Sequence, residues 1–297
     1  MLQRFIQEFL SYCRLANFSD RSIQALTSRL NEFQSFLKIR NTRSVKKITY
    51  LDLVAFVADF NNPSIHVRKS RVWTLRQLYH FLTLNDKVAE NIATRLPYPK
   101  IEKTVPQFLT QKEYNRLIRY FSTRANDLWG LRNLVIVMLL GTLGLRTTTL
   151  RMIDENDVDV RCGLLWVHEK GRRQRSLILP QPLCEIIHRY LNDRGRKHGQ
   201  GPLLISRRGK RISQRALQDI FRKAADQTGI AKTLHARLFR HTAATHLNRV
   251  AGMEITQHVL GHSHRVTTLT YAHLNPDQYA VYMKRHPCLR KEAPCLH

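Results

Sequence analysis

The longest apolar run in the chain is LVIVMLLGTLGL, which extends from Leu134 to Leu145 and is followed directly by Arg146. A membrane-spanning helix needs about 20 apolar residues, so this run is too short for that role. We therefore predict a helix that is buried in the core of a folded domain. The guanidinium of Arg146 would emerge at the end of this helix, where an unpaired charge at an apolar edge is costly. Taken alone, a structural ion pair is the simplest account of this arginine.

The sequence on both sides of this run predicts a mostly helical protein. Upstream, four segments with apolar residues at helical spacing precede two closely spaced prolines, Pro97 and Pro99. Downstream, GLLWVHEKGRRQRSLILP (residues 163–180) predicts two strands around a turn. Helix starts are predicted from N-capping residues or capping boxes at Ser19, Thr49 with Asp52, Thr110 with Glu113, and Ser213. The predicted fold class is mostly α, with a small β-sheet or hairpin in the C-terminal domain.

The charge of the chain predicts a polyanionic partner. Its 297 residues include 49 Lys and Arg against 22 Asp and Glu, which gives a formal net charge of +27. Nucleic acid is the commonest polyanion that a protein this basic meets. An anionic membrane surface is the competing explanation, but it usually requires a basic amphipathic helix at a terminus. Because the basic residues are distributed over the whole chain, we expect DNA or RNA and no membrane partner.

The pattern of cysteines and the N-terminal residues give an expectation for the cellular compartment of the protein. The five cysteines are odd in number and widely spaced, so no disulfide framework is predicted. The first residues lack the long apolar region of a signal peptide. The tail HPCLRKEAPCLH contains Cys and His, but its spacing matches no standard zinc pattern. We expect a cytoplasmic protein without a bound metal.

The predicted helix after Pro63 is one candidate for DNA contact. It carries Arg68, Lys69 and Arg71 beside its apolar positions. These basic side chains are suited to contacts with phosphates. A solvated helix face would have the same composition, so both explanations stay open.

The predicted hairpin is a second basic candidate. Lys170 lies at its turn, and Arg172, Arg173 and Arg175 follow. Such a tip can enter a DNA groove or deliver a proton. Exposed lysines in turns also occur merely for solubility, and the hairpin alone does not distinguish these roles.

Two stretches further along bring possible phosphate ligands and a tyrosine. In LHARLFRHTAATHL (residues 234–247), Arg237 and Arg240 are three residues apart and share a helix face, so they could converge on one anion. In VLGHSHRVTTLTYAHLN (residues 259–275), His262 and Tyr271 are nine residues apart. On one continuous helix these two side chains would face opposite ways.

A helix break resolves that geometry. Gly261 can end a helix as a C-cap, and Ser263 can begin the next one as an N-cap. With such a break, His262 and Tyr271 can face the same point from different elements. Without it, Tyr271 would be most simply a buried aromatic residue.

These motifs together resemble the tyrosine recombinase (phage integrase, Xer-like) family. The resemblance rests on GTLGLR, HEKGRRQR, LFRHTAATHL, LGHS and TYAH, which occur in this order over nearly the whole chain. It implies a helical core-binding (SAM-like) DNA-binding domain in residues 1–95 and a linker in residues 96–106. A catalytic domain would occupy residues 107–275. The tail, residues 276–297, would dock onto a neighbouring subunit, although a free tail is the alternative.

The resemblance also assigns roles to single residues. Arg146 and Arg240 would hold the scissile phosphate, Lys170 would be the general acid, His262 would assist at the phosphate, and Tyr271 would be the nucleophile. The chemistry is consistent with these residue types, because paired guanidinium groups can bind the charge that grows on phosphate oxygens. No metal or cofactor is expected, since basic side chains supply the positive charge.

Two positions depart from the usual pattern of the family. Three residues after Arg146 the family usually has an acidic residue, and this chain has Thr149. Three residues before Arg240 it usually has histidine or lysine, and this chain has Arg237. An arginine at this position can bind phosphate but does not accept a proton. His235 would be a substitute only if the loop were rearranged.

The expected function is site-specific DNA recombination. The enzyme would cut strands at two sites, form 3′-phosphotyrosyl links, exchange strands and pass through a Holliday junction, without metal or ATP. Its partner would be double-stranded DNA with an inverted-repeat site, bound by a homotetramer. The alternatives are a DNA-binding protein of the same fold with weakened catalysis, and a type IB topoisomerase-like enzyme.

Overall fold

The computed structural model describes residues 2–42, 44–102, 106–169, 173–195 and 201–261, together with residues 281, 283–286 and 288. The chain divides into two units, residues 1–104 and residues 105–297. No helix within the described ranges combines the length and the apolar character that are needed to cross a membrane.

The first unit is helical, as the sequence predicts. Its helices are α1 (Leu2–Leu15), α2 (Asp20–Ile39), α3 (Tyr50–Ala58) and α4 (Ile65–Leu84), with short 3-10 helices at Val45–Lys47 and Ile92–Arg95. The predicted helix starts are confirmed, because Ser19 Oγ accepts from the backbone of Ser22, and Thr49 and Asp52 form a reciprocal capping box. The core contains packed aromatic rings, among them Phe33 and Phe56 with centroids 4.9 Å apart.

Arg71 is buried in this unit. Its side chain is 2% exposed, and Nη2 lies 3.0 Å from a carboxylate oxygen of Glu32. Nη1 donates to the carbonyl oxygens of Phe56 and Phe60, at 2.7 and 2.8 Å. The guanidinium therefore joins α4 to α2 and α3. The expectation that Arg71 reaches a DNA phosphate does not hold in this structure, because its donors face the interior.

The second unit is helical with one small sheet. Its helices are α5 (Gln111–Ser122), α6 (Leu128–Leu143), α7 (Thr147–Met152), α8 (Gln181–Asp193), α9 (Gln214–Thr228) and α10 (Ala236–Leu260), with a 3-10 helix at Glu155–Asp157. The predicted capping box of Thr110 with Glu113 and the predicted N-cap Ser213 are both present. The fold class is thus mostly α with a small antiparallel sheet, as predicted.

The sheet has three strands in the order β1-β2-β3, all antiparallel. They are β1 (Val158–Asp159), β2 (Leu164–Glu169) and β3 (Arg173–Ile178). The two longer strands are those that the sequence predicts, and their register pairs Leu164 with Ile178 and Glu169 with Arg173. The short β1 was not predicted, because two residues carry no alternation pattern.

Helix α6 forms the centre of this unit. From Leu134 to Leu143 every residue of the helix is buried, and it packs against α5, α8 and α10, so the buried helix is confirmed. It begins at Leu128, where Asp127 Oδ1 accepts from the backbone of Gly130 at 2.7 Å. It ends at Gly144, whose φ of 59° lies in the left-handed region that favours glycine. Arg146 therefore leaves the core directly after this helix.

Helix α10 leads to the last predicted motif. It is interrupted at Gly252, where φ is 79°, and it ends at Gly261, where φ is 63°. The predicted helix end at Gly261 is confirmed. His262, Ser263 and Tyr271 lie outside the described residues, so the predicted new helix start is not tested.

Part of the tail is described, and three of its described residues are buried. Met283 and His286 are fully buried and Cys288 is 6% exposed. Met283 and Cys288 belong to the hydrophobic core of the second unit. These positions therefore pack against their own chain.

Candidate active site

Three arginine side chains meet at the last turn of α10. A helix C-terminus leaves its last carbonyl groups without intrahelical partners and carries partial negative charge. The carbonyl oxygens of residues 258–261 accept hydrogen bonds from Arg175, Arg240 and Arg146, which lie on three different elements. This helix end is the point at which three of the predicted residues, Arg146, Arg175 and Arg240, meet.

Arg146 reaches this turn from the start of α7. It occupies the N-cap position of α7, and its Nη2 donates to Gly261 O at 3.1 Å. The side chain is exposed, although it follows the most buried helix of the unit. Its backbone position is set by the left-handed turn at Gly144, which ends α6 two residues earlier.

Arg240 reaches the same turn from the first turns of α10 itself. Its Nη2 donates to Leu260 O at 2.7 Å, and its Nη1 donates to Gly144 O at 2.8 Å. It therefore joins the end of α6 to both ends of α10. Arg146 and Arg240, predicted as the phosphate ligands, are thus held on consecutive carbonyls, directly before His262.

Gly144 permits this close approach. A Cβ at this position would lie 2.4 Å from Leu260 Cδ2 and 3.2 Å from Ala243 Cβ. Both contacts come from α10, and the shorter one is too close for any carbon atom. The glycine in GTLGLR therefore serves two purposes: it adopts a positive φ, and it lets α10 lie against the end of α6.

Arg175 connects the hairpin to the same turn. Its Nη1 donates to His258 O at 2.9 Å and also to Val259 O. The side chain is half-buried. Arg175 was predicted to contact DNA, and nothing in these contacts tests that role. They do show a function that the sequence did not reveal, because the partner carbonyls lie more than eighty residues away in the chain.

The remaining hairpin and motif residues are only partly described. Lys170 and Arg172 lie outside the described residues, as do His262 and Tyr271. Of Arg173 only the strand position is described. The backbone on either side is described, however: Glu169 pairs with Arg173 across the hairpin, and Gly261 ends α10 immediately before His262.

His235 has a structural role at the start of α10. Its Nδ1 accepts from the backbone N–H of Leu238 at 3.0 Å, which caps the helix. Burial lowers the pKa of His235, and the neighbouring charge of Arg237 lowers it further. Arg237 is exposed and follows in the first turn. A histidine that caps the helix is not free to take the place of Arg237 without rearrangement of this turn.

His241 is a further ionisable group near Arg240. Burial lowers its pKa, and Arg237, Arg240 and His235 add to that effect. His241 is therefore less readily protonated than an ordinary histidine. Thr149, at the position where an acidic residue was expected from the resemblance, is buried and adds no charge.

The basic residues of α4 occupy different environments. Lys69 is exposed, whereas Arg68 is half-buried and its Nε donates to Pro63 O at 3.2 Å. Arg76, one helical turn after Val72, donates to Thr94 O and Leu96 O and stacks over Tyr98. Of the predicted DNA contacts on this helix, Lys69 is the most available to solvent.

Known proteins resemble this chain over almost its full length. Residues 107–278 match the phage integrase family. The tyrosine recombinase XerC of Bacillus licheniformis is 28% identical over 302 residues, covering 98% of both proteins. The XerC of Bacillus subtilis is also 28% identical, covering 96% of this chain and 97% of the relative.

A solved structure has the same fold. The XerH site-specific recombinase, bound to its difH substrate before cleavage, superposes with a TM-score of 0.72. It is 18% identical in sequence, and the match covers 94% of this chain and 95% of XerH. The likeness extends over both units of the chain.

Proposed function

Because the chain belongs to the phage integrase family and is a tyrosine-type site-specific DNA recombinase, we propose that it cuts DNA with Tyr271 and passes through a 3′-phosphotyrosyl intermediate and a Holliday junction. The observation that carries this proposal is the anchoring of Arg146 and Arg240 on consecutive carbonyls, at Gly261 and Leu260. His262 follows directly, and Tyr271 is nine residues further on.

In the proposed cleavage step, Tyr271 Oη forms a bond to the scissile phosphorus while the bond to the 5′ oxygen breaks, and the hydroxyl proton of Tyr271 passes to solvent water. Negative charge grows on the non-bridging oxygens, where Arg146, Arg240 and His262 stabilise it. Lys170 gives a proton to the departing 5′ oxygen. Rejoining reverses these bonds, with a 5′ hydroxyl as the attacking group. The phosphodiester energy is kept in the tyrosyl link, so the proposal needs no ATP.

The hydroxyl group of Tyr271 needs positive charge nearby in order to act as a nucleophile. A tyrosine hydroxyl has a pKa of about 10 in water, so it attacks efficiently only in electropositive surroundings. The arginines at the end of α10 supply such surroundings. Arg237 is proposed as a phosphate ligand and not as the proton acceptor, because a guanidinium only donates. The positive side chains also replace the metal ion that other phosphoryl-transfer enzymes use.

We further propose the assembly that this reaction needs. Residues 1–95 are the core-binding domain and residues 107–275 the catalytic domain, connected by residues 96–106. Double-stranded DNA with an inverted-repeat site is the proposed substrate, and two such sites are joined by a homotetramer. The net charge of +27 supports contact with a long stretch of phosphates. Lys69, Arg68 and the arginines of the hairpin are the proposed DNA contacts.

Docking of the tail, residues 276–297, onto a neighbouring subunit is also proposed. Met283 and Cys288 pack into the core of their own unit. A neighbour would therefore receive either the residues beyond 288 or a tail that has left its own core.

Two alternatives are less favoured. A catalytically weakened DNA-binding protein would retain the fold without the reaction, and a type IB topoisomerase-like enzyme would not join two sites. The similarity to tyrosine recombinases over nearly the whole chain supports recombination instead.

A covalent-adduct assay tests the nucleophile. The protein is incubated with a cognate site that carries a nick beside the scissile phosphate, so that the released strand diffuses away and the adduct accumulates. We expect a DNA-linked band in denaturing gels for the wild type and none for Tyr271→Phe, which should still bind the site. An adduct in Tyr271→Phe would refute the assignment.

The variants of the phosphate ligands need a charge-matched control. Arg146→Ala and Arg240→Ala should bind DNA but form little adduct. Arg161→Ala removes the same charge from an exposed position between β1 and β2, and it should form adduct at the wild-type rate. Equal loss in all three variants would show that only overall charge matters.

A further inference from the structure

A second cationic site lies at the other end of α6. A cavity of about 350 Å³ opens between α5, the first turns of α6, the turn at residues 206–209 and α9. Its wall includes two aromatic rings, an amide and three cations: Tyr120, Trp129, Asn133, Arg132, Arg207 and Lys223. From Arg132 to the end of α6 is roughly 17 Å at 1.5 Å per residue. The cavity is therefore distinct from the arginines at the end of α10.

Arg132 is buried without a carboxylate. It is 8% exposed, and its Nη1 donates to Ile205 O at 2.8 Å. Its Nε and Nη2 donate to Asn133 Oδ1 at 3.2 and 2.8 Å. These neutral oxygens orient the guanidinium but do not neutralise it. Within the described parts of the chain, no Asp or Glu forms an ion pair with Arg132. A buried charge in this state is costly unless an anion joins it.

The other buried arginines show how this chain usually solves that problem. Arg71 pairs with Glu32 at 3.0 Å, and Arg194 pairs with Glu155 at 2.6 Å. Arg71 is 2% exposed and Arg194 is 9% exposed, against 8% for Arg132, and each of the two has its own carboxylate. Asp127, which caps the start of α6, is near enough for its charge to favour protonated Arg132, but it forms no ion pair with it. Among the three buried arginines in the described parts of the chain, only Arg132 therefore lacks a paired carboxylate.

Two further cations increase the positive potential. Arg207 and Lys223 line the cavity from the turn and from α9, both are exposed, and neither forms an ion pair with a described residue. Asp219 is an acidic residue in the wall, and it is paired with Arg222 at 2.8 Å. The cavity thus presents three positive side chains, with its one acidic group already in a pair.

The aromatic rings add a second feature. Trp129 and Tyr120 are both half-buried and line the same space. The guanidinium of Arg132 lies 5.0 Å from the centroid of the Trp129 ring. A flat, π-rich group can stack on such rings while its charged substituent meets the cations. The volume falls within the range of about 300–1,000 Å³ that is common for small-ligand sites.

We propose that this cavity binds a nucleotide phosphate, with the phosphate on Arg132, Arg207 and Lys223 and the base against Trp129 and Tyr120. The same chemistry has two sources: a free mononucleotide, or a nucleotide at the end of a DNA strand outside the cleavage site. The site is separate from the proposed phosphotyrosyl chemistry and does not depend on it.

Fluorescence of the full-length protein tests the proposal. Adenosine 5′-monophosphate, inorganic phosphate and adenosine are titrated separately at low salt, and the emission of Trp129 is isolated by comparison with Trp129→Phe. We expect saturable quenching by the monophosphate, and weaker or no effect from adenosine, which lacks the charge. Inorganic phosphate should compete with the monophosphate. Absence of saturable quenching by the monophosphate up to millimolar concentration would overturn the proposal.

Surface variants keep the test independent of folding. Arg132→Met changes a buried side chain and is expected to lower stability as well as binding. The exposed pair Arg207→Ala and Lys223→Ala therefore decides whether the cavity binds the phosphate. The double variant should bind the monophosphate at least about tenfold more weakly, since hydrogen bonds to charged groups contribute strongly. Arg215→Ala, on the same helix, removes an exposed charge that does not line the cavity; it is the matched control and should leave affinity unchanged. Unchanged affinity in the double variant would refute the site.

Competition with DNA distinguishes the two sources. A short duplex with a 5′-phosphate and no recombination site is added to the complex with the monophosphate. Displacement that is lost when the 5′-phosphate is removed assigns the cavity to a strand end. Lack of displacement assigns it to the free nucleotide.

Discussion

Arg146 and Arg240 lie on neighbouring carbonyl groups, with Arg146 Nη2 3.1 Å from Gly261 O and Arg240 Nη2 2.7 Å from Leu260 O. The two residues are ninety-four positions apart in the sequence, so only the end of α10 brings them together. A phosphate that approaches this turn would meet two planar guanidinium groups. We therefore expect lysine to be a poor substitute at either position, because it lacks the planar set of donors.

The first prediction concerns Arg240. Arg240→Lys should retain the charge but lose one of the two anchors, to Gly144 O and Leu260 O. We expect adduct formation to slow by about 10²–10³-fold, the range seen when one preorganised donor is removed from a reaction site. Single-turnover rates of adduct formation on the nicked site measure this effect. A lysine variant with the wild-type rate would show that charge alone is sufficient.

The second prediction concerns Gly144. Gly144→Ala introduces a methyl group at positive φ and also against Leu260, so it should lower the free energy of unfolding and slow cleavage. Gly229→Ala is a matched control, because Gly229 has nearly the same φ of 62° but nothing within 4 Å of an added Cβ. Gly229→Ala should lower the free energy of unfolding only by the cost of placing a side chain at positive φ, about 1–2 kcal/mol.

Chemical denaturation of both glycine variants measures the difference. We expect Gly144→Ala to be the less stable of the two, and Leu260→Ala to cost less stability in the Gly144→Ala background than in the wild type. Equal destabilisation of Gly144→Ala and Gly229→Ala would mean that α10 does not press against the end of α6.

The third prediction separates two roles of Arg175. If Arg175 mainly holds the hairpin to α10, then Arg175→Gln should slow adduct formation while the dependence of DNA affinity on salt stays the same. If Arg175 binds a phosphate directly, the slope of log K against log salt should fall by about one. Binding isotherms at several salt concentrations, combined with cleavage rates, distinguish the outcomes. Arg161→Ala serves again as the control for charge.

The fourth prediction is a dependence of stability on pH. His246 Nε2 donates to Leu109 O at 2.9 Å, and burial lowers the pKa of His246. Burial and the nearby His246 lower the pKa of His286 to about 3. In the unfolded chain both rings would titrate near 6.5. The unfolded state therefore binds more protons below that pH, and stability should be complete above about pH 6.5 and fall as the pH decreases.

The measurement is the free energy of unfolding at several pH values. His286 alone should contribute a slope of about 1.4 kcal/mol per pH unit in the middle of the window between the two pKa values. His286→Leu should flatten the profile, whereas His80→Gln, which changes an exposed histidine, should not. A profile that is identical in His286→Leu and the wild type would contradict the burial of this ring.

Much of the fold follows from local sequence patterns. Helix α6 contains the longest apolar run of the chain, so its burial is evident without any knowledge of its neighbours. Capping boxes at Thr49 and Thr110 mark helix starts because both partners lie within one turn of chain. The two-residue strand β1 is too short to show such a pattern. Its pairing with β2 depends on the turn between the two strands, and the residues of that turn do not predict it.

The site was predictable only where a motif marks it. Arg146 and Arg240 were identified through the resemblance to a family, since an arginine on its own does not reveal its target. Arg71 looked equivalent to Lys69 in the sequence, but its partner Glu32 is thirty-nine residues away and decides its burial. The hydrogen bonds of Arg175 to the carbonyl oxygens of residues 258 and 259 could not be predicted either, because these partners are also far away in the sequence. Contacts between distant residues are not encoded in local spacing.

The position of the last turn of α10 in the sequence also determines when the arginine site can form during synthesis. Arg146, Arg175 and Arg240 are synthesised well before residues 258–261, so the growing chain carries all three arginines before their common anchor exists. Domains fold as units during synthesis, and this one has no complete phosphate site until the end of α10 has been added. A fragment released before residue 258 could bind DNA through its charge but would lack the arrangement that cuts it. We therefore expect incomplete products of translation to be unable to cleave DNA.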